Sequence, residues 1–303
     1  MNPLSRSFIG ALAGGAAGAL FGLAGFYLAE IPATHAMGPV MFLLVPFAAG
    51  VAIALVASGP QQFWASAILT ALVCLGILIA LRMETMLCVV LALPWLALGL
   101  ALGIGAGHLV RKSFEKFAKS DRAVAPFVFL ALPLIIWTGH RIEVLALVHP
   151  RTEIVVSAVH LPATPARVWS DLRSFDSLAG RKPILMYIGL PIPERCVTQG
   201  SGLGSKRTCY FDRGSIEETV IDWNPPFRMG LAIDRTNMPG RHWLGFEYAE
   251  YDLKAEAGTT ILTRTTTIVS NLYPAWYWRP FERWGVSSEH SYIFGDLILR
   301  EHP

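Results

Sequence analysis

The chain has 303 residues, of which 53% are hydrophobic and only 16% are charged, and its formal net charge is +3. A soluble globular protein carries about 25% charged residues, so this composition argues against a wholly soluble protein. Because the net charge is small and no basic stripe with interleaved aromatic residues occurs, we expect no nucleic-acid partner.

The N-terminal half, residues 1–150, holds the long hydrophobic segments. Four of them approach or exceed the length of about 20 apolar residues that crosses a bilayer. They are residues 8–28, 39–58, 63–81 and 86–110. A fifth, residues 123–139, is shorter and contains Pro126 and Pro133. We predict a transmembrane region of about five helices, in an integral membrane protein of the bacterial inner-membrane or cell-membrane type.

Two of these segments carry a glycine at every fourth residue. The two stripes are Gly10, Gly14, Gly18 and Gly22, and Gly99, Gly103 and Gly107. Such stripes let helix backbones approach closely, either between copies of the chain in a homo-oligomer or pore, or within one chain. The first four segments have no ionisable residue near their centres, which argues against an ion-driven pump.

Basic residues cluster at positions 111–122, directly after the fourth segment. Basic loops stay in the cytoplasm, so the N-terminus is expected there as well. If the fifth segment spans the membrane, the C-terminal half lies outside the cytoplasm; if it does not, that half is cytoplasmic. We expect the extracytoplasmic arrangement.

After Arg151 the pattern changes to strands and charge becomes dense. Residues 153–160 alternate as a strand, and Thr164 and Pro165 mark the start of a helix. Gly and Pro then separate six further predicted strands. These are residues 194–199, 206–212, 216–223, 228–234, 242–253 and 259–269. A long helix over residues 274–300, with Pro280 near its start, ends the chain.

Several short sequences in this half carry a family resemblance. Residues 159–169 join a strand to a helix through a Pro-containing turn, residues 202–204 form a glycine hairpin, and a strand ends in Trp223 followed by Pro225 and Pro226. A late hairpin follows Tyr251. In this order they resemble the START-like helix-grip superfamily (SRPBCC), in particular its polyketide cyclase/dehydrase and lipid-transport branch. The resemblance covers residues 152–300.

The resemblance implies a fold and a class of ligand. The expected fold class is an α-helical membrane bundle followed, over residues 151–303, by an α+β helix-grip domain, in which a curved antiparallel sheet wraps around a long C-terminal helix. A hydrophobic cavity between sheet and helix is expected to take a lipid, sterol, isoprenoid or polyketide. Some family members catalyse cyclisation or dehydration, but no catalytic residue is implied for this chain.

The C-terminal helix has one face with bulky ends and a small middle. At 100° per residue this face comprises Tyr277, Phe281, Trp284, Ser288, Ser291, Gly295 and Ile298. If it grips the sheet, the small residues leave room for a ligand, and we expect Ser291 to face the cavity. The alternative is close packing without a cavity. A second apolar stripe, Val286, Ile293 and Leu297, is expected on the opposite face.

The late strands add further candidate ligand contacts. By the period of two, Trp243, Glu247 and Tyr251 share one face, and Arg264 lies on the next strand. A pair between Glu247 and Arg264 would orient a ligand head group, and an acid there could act as a general acid or base. The alternative is a solvated ion pair of little energetic value.

Histidines and cysteines give few further signals. No His or Cys has metal-ligand spacing, so we predict no metal and no cofactor. Cys196 and Cys209 are placed symmetrically about the hairpin turn at residues 202–203. They form either a disulfide, which needs an oxidising compartment, or two free thiols; we expect the disulfide.

The leading functional hypothesis is a membrane-anchored protein that binds or transfers a hydrophobic ligand. One rival is a cyclase or dehydrase acting on a hydrophobic substrate, with Glu247 and His290 as acid–base candidates. Another is an assembly module that binds membrane proteins through its glycine-rich helices.

Overall fold

The computed structural model describes residues 3–30, 37–57, 59–81, 84–117, 124–146, 150–238 and 243–301. The chain divides into two compact units. The N-terminal unit comprises Met1–Glu84 and Cys88–His149, and the C-terminal unit comprises Thr85–Leu87 and Pro150–Pro303. The first is helical, and the second is built on an antiparallel sheet.

The N-terminal unit consists of apolar helices. They are α1 (Pro3–Glu30), a π-helical turn (Val40–Leu44) that continues into α2 (Val45–Val56), α3 (Pro60–Ala80), α4 (Met86–Phe117) and α5 (Val124–Ala146). Among the described residues, three helical stretches are long and apolar enough to cross a membrane. These are Ser7–Tyr27, Pro60–Ala80 and Met86–Ser113.

Two predicted segments differ from expectation in length. Residues 39–58, predicted as a full span, form only the shorter apolar helix Val40–Val56. The fifth segment is longer than predicted, because α5 runs on to Ala146 and includes the buried His140 and Glu143. Of the basic cluster, Arg111 and Lys112 lie in α4, whereas Lys119 and Arg122 lie outside the described residues.

The glycine stripe of α1 packs against a polar stripe of α3. A Cβ atom added at Gly14 would lie 2.5 Å from Ser66 Oγ, and one at Gly18 would clash with Thr70 Oγ1. The close approach lets Ser66 donate a hydrogen bond to the Ala11 carbonyl at 2.9 Å and Thr70 donate to the Gly15 carbonyl at 3.2 Å.

The stripe of α4 also packs within the chain, against α2 and the turn before it. A Cβ atom at Gly99 would lie 2.6 Å from the Leu43 carbonyl oxygen, and one at Gly103 would clash with the Phe47 carbonyl. Both stripes are therefore used for packing inside one chain. This agrees with the alternative of packing within one chain, and the homo-oligomer stays a prediction.

The C-terminal unit is a seven-stranded antiparallel sheet with a long C-terminal helix. Its strands are β1 (Arg151–Leu161), β2 (Pro193–Gln199), β3 (Lys206–Phe211), β4 (Gly214–Asn224), β5 (Arg228–Thr236), β6 (Leu244–Glu256) and β7 (Thr259–Ser270). Their order is β1-β7-β6-β5-β4-β3-β2. The helices are α6 (Pro165–Arg173), α7 (Ile184–Tyr187) and α8 (Ala275–Glu301). The predicted strands and the helix that ends the chain are confirmed.

Two apolar clusters form the core between the sheet and α8. The large core combines residues of α6, the central strands and the second half of α8, including Leu172, Leu231, Leu262, Ile293 and Leu297. The small core consists of Val155, Ile268 and Val286, with Leu244 and Phe246 packed against them.

Candidate functional site

The face of α8 that packs on the sheet is not the predicted one. Val286 and Ile293, expected on the opposite face, are buried in the small and large cores. On the predicted face Ser291 is exposed and donates a hydrogen bond to the Ser287 carbonyl at 2.8 Å. The expectation that Ser291 faces a cavity is therefore wrong.

The other residues of the predicted face have mixed environments. Trp284 is 45% and Ile298 is 36% exposed, whereas Tyr277, Phe281 and Gly295 are half-buried. Ser288 is buried. The error arose because α8 carries two stripes, and the stripe with the larger aromatic residues is not the one that enters the core.

A β-bulge separates the residues predicted to share a face of β6. Opposite β7, Phe246 pairs with Ile268 but Tyr248 pairs with Thr267, so Glu247 is the extra residue. One extra residue reverses which side chains point inward along the rest of the strand. Glu247 is accordingly exposed, while Tyr251 is buried.

Of the predicted strand residues, the structure brings together Tyr251 and Arg264. They are directly opposed across β6 and β7, and the Arg264 guanidinium lies 5.2 Å from the centroid of the Tyr251 ring. The predicted partner of Arg264 is wrong, because Glu289 of α8 and not Glu247 pairs with it. Trp243, half-buried, precedes β6 and accepts a backbone hydrogen bond from Asn271 at 2.9 Å.

A group of polar side chains lies between the small and large cores, and we name it the polar belt. It comprises Ser157, Arg207, Glu218, Arg264, Thr266, Glu289 and His290. Its position can be followed along β7, where Ile268 belongs to the small core, Thr266 and Arg264 to the belt, and Leu262 to the large core. Along α8, Val286 belongs to the small core, Glu289 and His290 to the belt, and Ile293 to the large core.

The first charged pair of the belt joins β3 and β4. Arg207, only 2% exposed, donates to Glu218 Oε2 at 2.8 Å and to the Leu172 carbonyl at 3.2 Å. Burial opposes the charged form of Arg207, but the Glu218 carboxylate and Tyr251 together outweigh this effect and raise the pKa of Arg207. Breaking one partner of such a pair leaves an uncompensated buried charge, which is strongly destabilising.

The second charged pair joins β7 to α8. Arg264 Nη1 lies 3.0 Å from Glu289 Oε1 and 2.8 Å from Oε2. Burial raises the pKa of Glu289 in spite of this ion pair. Glu289 is therefore more readily protonated than an ordinary glutamate.

His290, next along α8, is held by a hydroxyl on each side. Its Nδ1 lies 2.9 Å from Ser157 Oγ, and its Nε2 lies 2.8 Å from Thr266 Oγ1. Burial, followed by the repulsion of Arg264, lowers the pKa of His290 to about 2. The imidazole is thus neutral, with both nitrogens occupied.

Both arginines of the belt retain an unsatisfied donor. The Nε–H groups of Arg207 and Arg264 are buried and have no hydrogen-bond partner within the described part of the chain. An unsatisfied buried donor costs about 1–3 kcal/mol, and more when the group is charged. Native structures keep few such groups, and each one calls for an explanation.

Partial exposure shows where solvent reaches the belt. Ser157 and Val159 on the inner side of the edge strand β1 are half-buried, and the Glu289 side chain is 17% exposed. The Arg207–Glu218 pair is more deeply buried. The belt is therefore approached from the side of β1 and α8.

Cys196 and Cys209 are directly opposed on β2 and β3 and form a disulfide. Their Cα atoms are 4.0 Å apart. The bridge belongs to a small apolar cluster that includes Phe175. The structure thus agrees with the disulfide alternative of the sequence interpretation.

Sequence reasoning missed most of the belt. Glu289 falls on the same helical stripe as Val286 and Ile293, which indicates that a charged residue of α8 faces the sheet. Likewise Arg207 alternates with Lys206 and Thr208 in the period of two that buries Cys209. The sequence pattern therefore indicates that Glu289 and Arg207 face inward, although it does not identify their partners.

No protein-family model matches the sequence, and no curated protein matches it. Solved structures align with its C-terminal half. A START superfamily protein from Mycobacterium smegmatis has 10% identity and a TM-score of 0.37, over 49% of this chain and 97% of that one.

Two further structures give similar values. The Aha1 dimer from Colwellia psychrerythraea has 16% identity and a TM-score of 0.30, over 48% of this chain and 98% of that one. A norcoclaurine synthase point mutant from Thalictrum flavum has 13% identity and a TM-score of 0.33, over 51% of this chain and 98% of that one. These likenesses concern the fold of the C-terminal half alone.

Proposed function

We propose that this chain is a membrane-anchored protein whose C-terminal unit binds, and holds or transfers, a hydrophobic molecule between its sheet and α8. The observation that carries the proposal is the polar belt, in which unsatisfied donors lie between two apolar cores. Sites for small molecules are mostly apolar with a few convergent polar groups, and the belt has this character.

Two features of the sequence support the class of ligand. The resemblance of residues 152–300 to the START-like superfamily favours a lipid, an isoprenoid or a polyketide-like molecule. The three apolar helical stretches favour membrane anchoring. An anchored domain would stay near the membrane, where such molecules partition.

The enzymatic alternative gains no support from its two candidate residues. Glu247 lies on the exposed side of β6, and His290 is buried and neutral, with a hydroxyl on each nitrogen. A general acid or base must reach the reacting proton and titrate near the working pH. We therefore favour binding over catalysis.

We place the C-terminal unit outside the cytoplasm. The disulfide supports this placement, because disulfides persist in oxidising compartments. A Lys254→Cys variant, in a background without Cys74 and Cys88, should react with a membrane-impermeant thiol reagent on intact cells. Reaction only after lysis would contradict the placement.

The test of binding uses two adjacent positions of β1. Val159 is half-buried on the inner side, and Ala158 is exposed on the outer side. The full chain is purified, and molecules that co-purify are extracted and identified by mass spectrometry. Val159→Trp should lose a hydrophobic molecule that both the wild type and Ala158→Trp retain.

Two outcomes would overturn the proposal. If neither the wild type nor Ala158→Trp retains a hydrophobic molecule, the C-terminal unit does not hold one. If Val159→Trp retains as much as the wild type, while circular dichroism shows that it is folded, the molecule does not bind between β1 and α8.

A further inference from the structure

The two arginines of the belt converge on one aromatic ring. The guanidinium carbons of Arg207 and Arg264 lie 5.8 and 5.2 Å from the centroid of the Tyr251 ring. Two positive charges on separate strands therefore share one buried environment. The positive charge of Arg264 acts against the charged form of Arg207, so the arrangement needs nearby anions.

The anions present within the belt are the carboxylates of Glu218 and Glu289, one for each arginine. They leave both Nε–H groups without an acceptor. Burial also raises the pKa of Glu289, and its protonation would leave the belt with a net positive charge. The two Nε–H groups therefore lack an oxygen acceptor, and an anionic acceptor would also replace the negative charge that protonation of Glu289 removes.

A second buried arginine network serves as a comparison. Arg151 also has an unsatisfied Nε–H, but its guanidinium donates to Glu153, Glu282 and Ser270. Glu153 is bonded by Arg279 and lies 3.4 Å from Arg283 as well. That network ties β1 and β7 to α8. Its other two arginines, Arg279 and Arg283, are exposed to solvent, and the guanidinium of Arg151 is paired with both carboxylates, so the network gives no comparable reason for a further anion.

We propose that the ligand is an amphiphile with an anionic oxygen head group, a carboxylate or a phosphate monoester, that accepts hydrogen bonds from Arg264 and Arg207 in the polar belt. Arg264 is the first contact, because its side lies nearer solvent, and the apolar part of the ligand lies against the neighbouring cores. Charge-assisted bonds from guanidinium to such oxygens are among the stronger ones in proteins. This inference rests on the proposed function.

The test compares head groups on one chain length. The full chain in lipid nanodiscs is titrated with decanoate, decyl phosphate and 1-decanol, with empty nanodiscs subtracted. The wild type should bind at least one of the two anions about tenfold more tightly than the alcohol, as expected for a charge-assisted hydrogen bond. The anion that binds more tightly identifies the head group.

Variants test whether the preference for an anion arises at the polar belt or from exposed charges elsewhere on the protein. In Arg264→Gln/Glu289→Gln both members of the pair become neutral, so no unpaired charge is buried, and the preference for the anion should fall to about that for the alcohol. Arg228→Gln is the control, because Arg228 is an exposed arginine that also pairs with carboxylates. It should keep the wild-type preference.

The outcomes distinguish this inference from the proposed function. If the wild type binds the alcohol as tightly as both anions, the head-group inference is wrong and hydrophobic binding stands. If the double variant is folded and keeps the preference, the anion binds elsewhere and the inference is wrong. If no probe binds above empty nanodiscs, both proposals fail.

Discussion

In the N-terminal unit the buried hydroxyls of Ser66 and Thr70 donate to backbone carbonyls of α1, whereas in the C-terminal unit Arg207 and Arg264 are buried with donors left over. The first arrangement satisfies its groups by close helix contact at glycine. The second satisfies charges in pairs and leaves one N–H of each arginine without an acceptor.

The difference indicates two uses of buried polarity. Hydroxyl-to-carbonyl bonds between apolar helices contribute modest stability and fix which helices are neighbours. Buried ion pairs are weak evidence for stability, because desolvation offsets their attraction. The belt differs from a purely structural network because its pairs leave buried donors over, which is why we assign it to the proposed ligand.

The largest effect is expected from breaking a pair of the belt. Arg207→Met leaves Glu218 buried without its partner and should lower the free energy of unfolding by about 3–5 kcal/mol. Lys206→Met, at the preceding position of β3, removes an exposed pair with Asp234 and should lower the free energy of unfolding by at most about 1 kcal/mol. Thermal unfolding followed by near-ultraviolet circular dichroism measures both. Equal losses would show that the belt is no more sensitive than the surface.

A smaller effect is expected from the glycine packing of the N-terminal unit. At Gly103 a Cβ atom would clash with the Phe47 carbonyl, whereas at Gly105 it would meet nothing within 4 Å. Gly103→Ala should therefore destabilise by about 1–3 kcal/mol through overpacking. Gly105→Ala should leave the thermal midpoint unchanged or raise it slightly, since Ala is the better helix former. If both variants behave alike, helix contact at Gly103 is not tight.

A third effect, confined to acid conditions, is a pH dependence from His290. Its pKa is lowered from 6.5 to about 2, so in the acid range the unfolded chain binds this proton and the folded chain does not. The contribution to stability is full above pH 6.5 and is lost as the pH falls towards 2, by about 1.4 kcal/mol per pH unit.

The contribution of His290 is measured by comparing how the free energy of unfolding changes with pH in the wild type and in His290→Gln. The raised pKa of Glu289 acts in the opposite direction, because it favours the folded state at low pH, but Glu289 titrates in the wild type and in His290→Gln alike. Between about pH 7 and about pH 5, the free energy of unfolding of the wild type should fall by about 2 kcal/mol more than that of the variant. Parallel pH profiles would show that the imidazole is not buried as described.

The fold of the C-terminal unit was largely predictable because its signals are local. The alternation of apolar residues predicts where the strands lie, and Gly and Pro mark the turns between them. Gly214 marks the turn between β3 and β4, and Pro225 and Pro226 mark the turn between β4 and β5. The disulfide followed from symmetry about one hairpin turn. Such features depend on a few neighbouring residues, and tertiary contacts did not override them.

The site was predictable only in part because it depends on tertiary choices. Tyr251 and Arg264, both predicted as ligand contacts, lie opposite each other and are buried, but the bulge at Glu247 adds one residue and reverses the inward face of β6. On α8 two stripes are present, and the choice between them depends on what the sheet presents. Glu289 lies in the polar belt and pairs with Arg264. The sequence around either residue does not predict this pairing, because it depends on how α8 packs on β7.

The central claim, that the C-terminal unit holds a hydrophobic molecule at its polar belt, is tested most directly by an experimental density map of the full chain purified from the cells that express it. The account predicts elongated density beside β1, β7 and α8, with one end within hydrogen-bonding distance of Arg264 Nε. Density accounted for there by protein side chains and ordered water alone would contradict it.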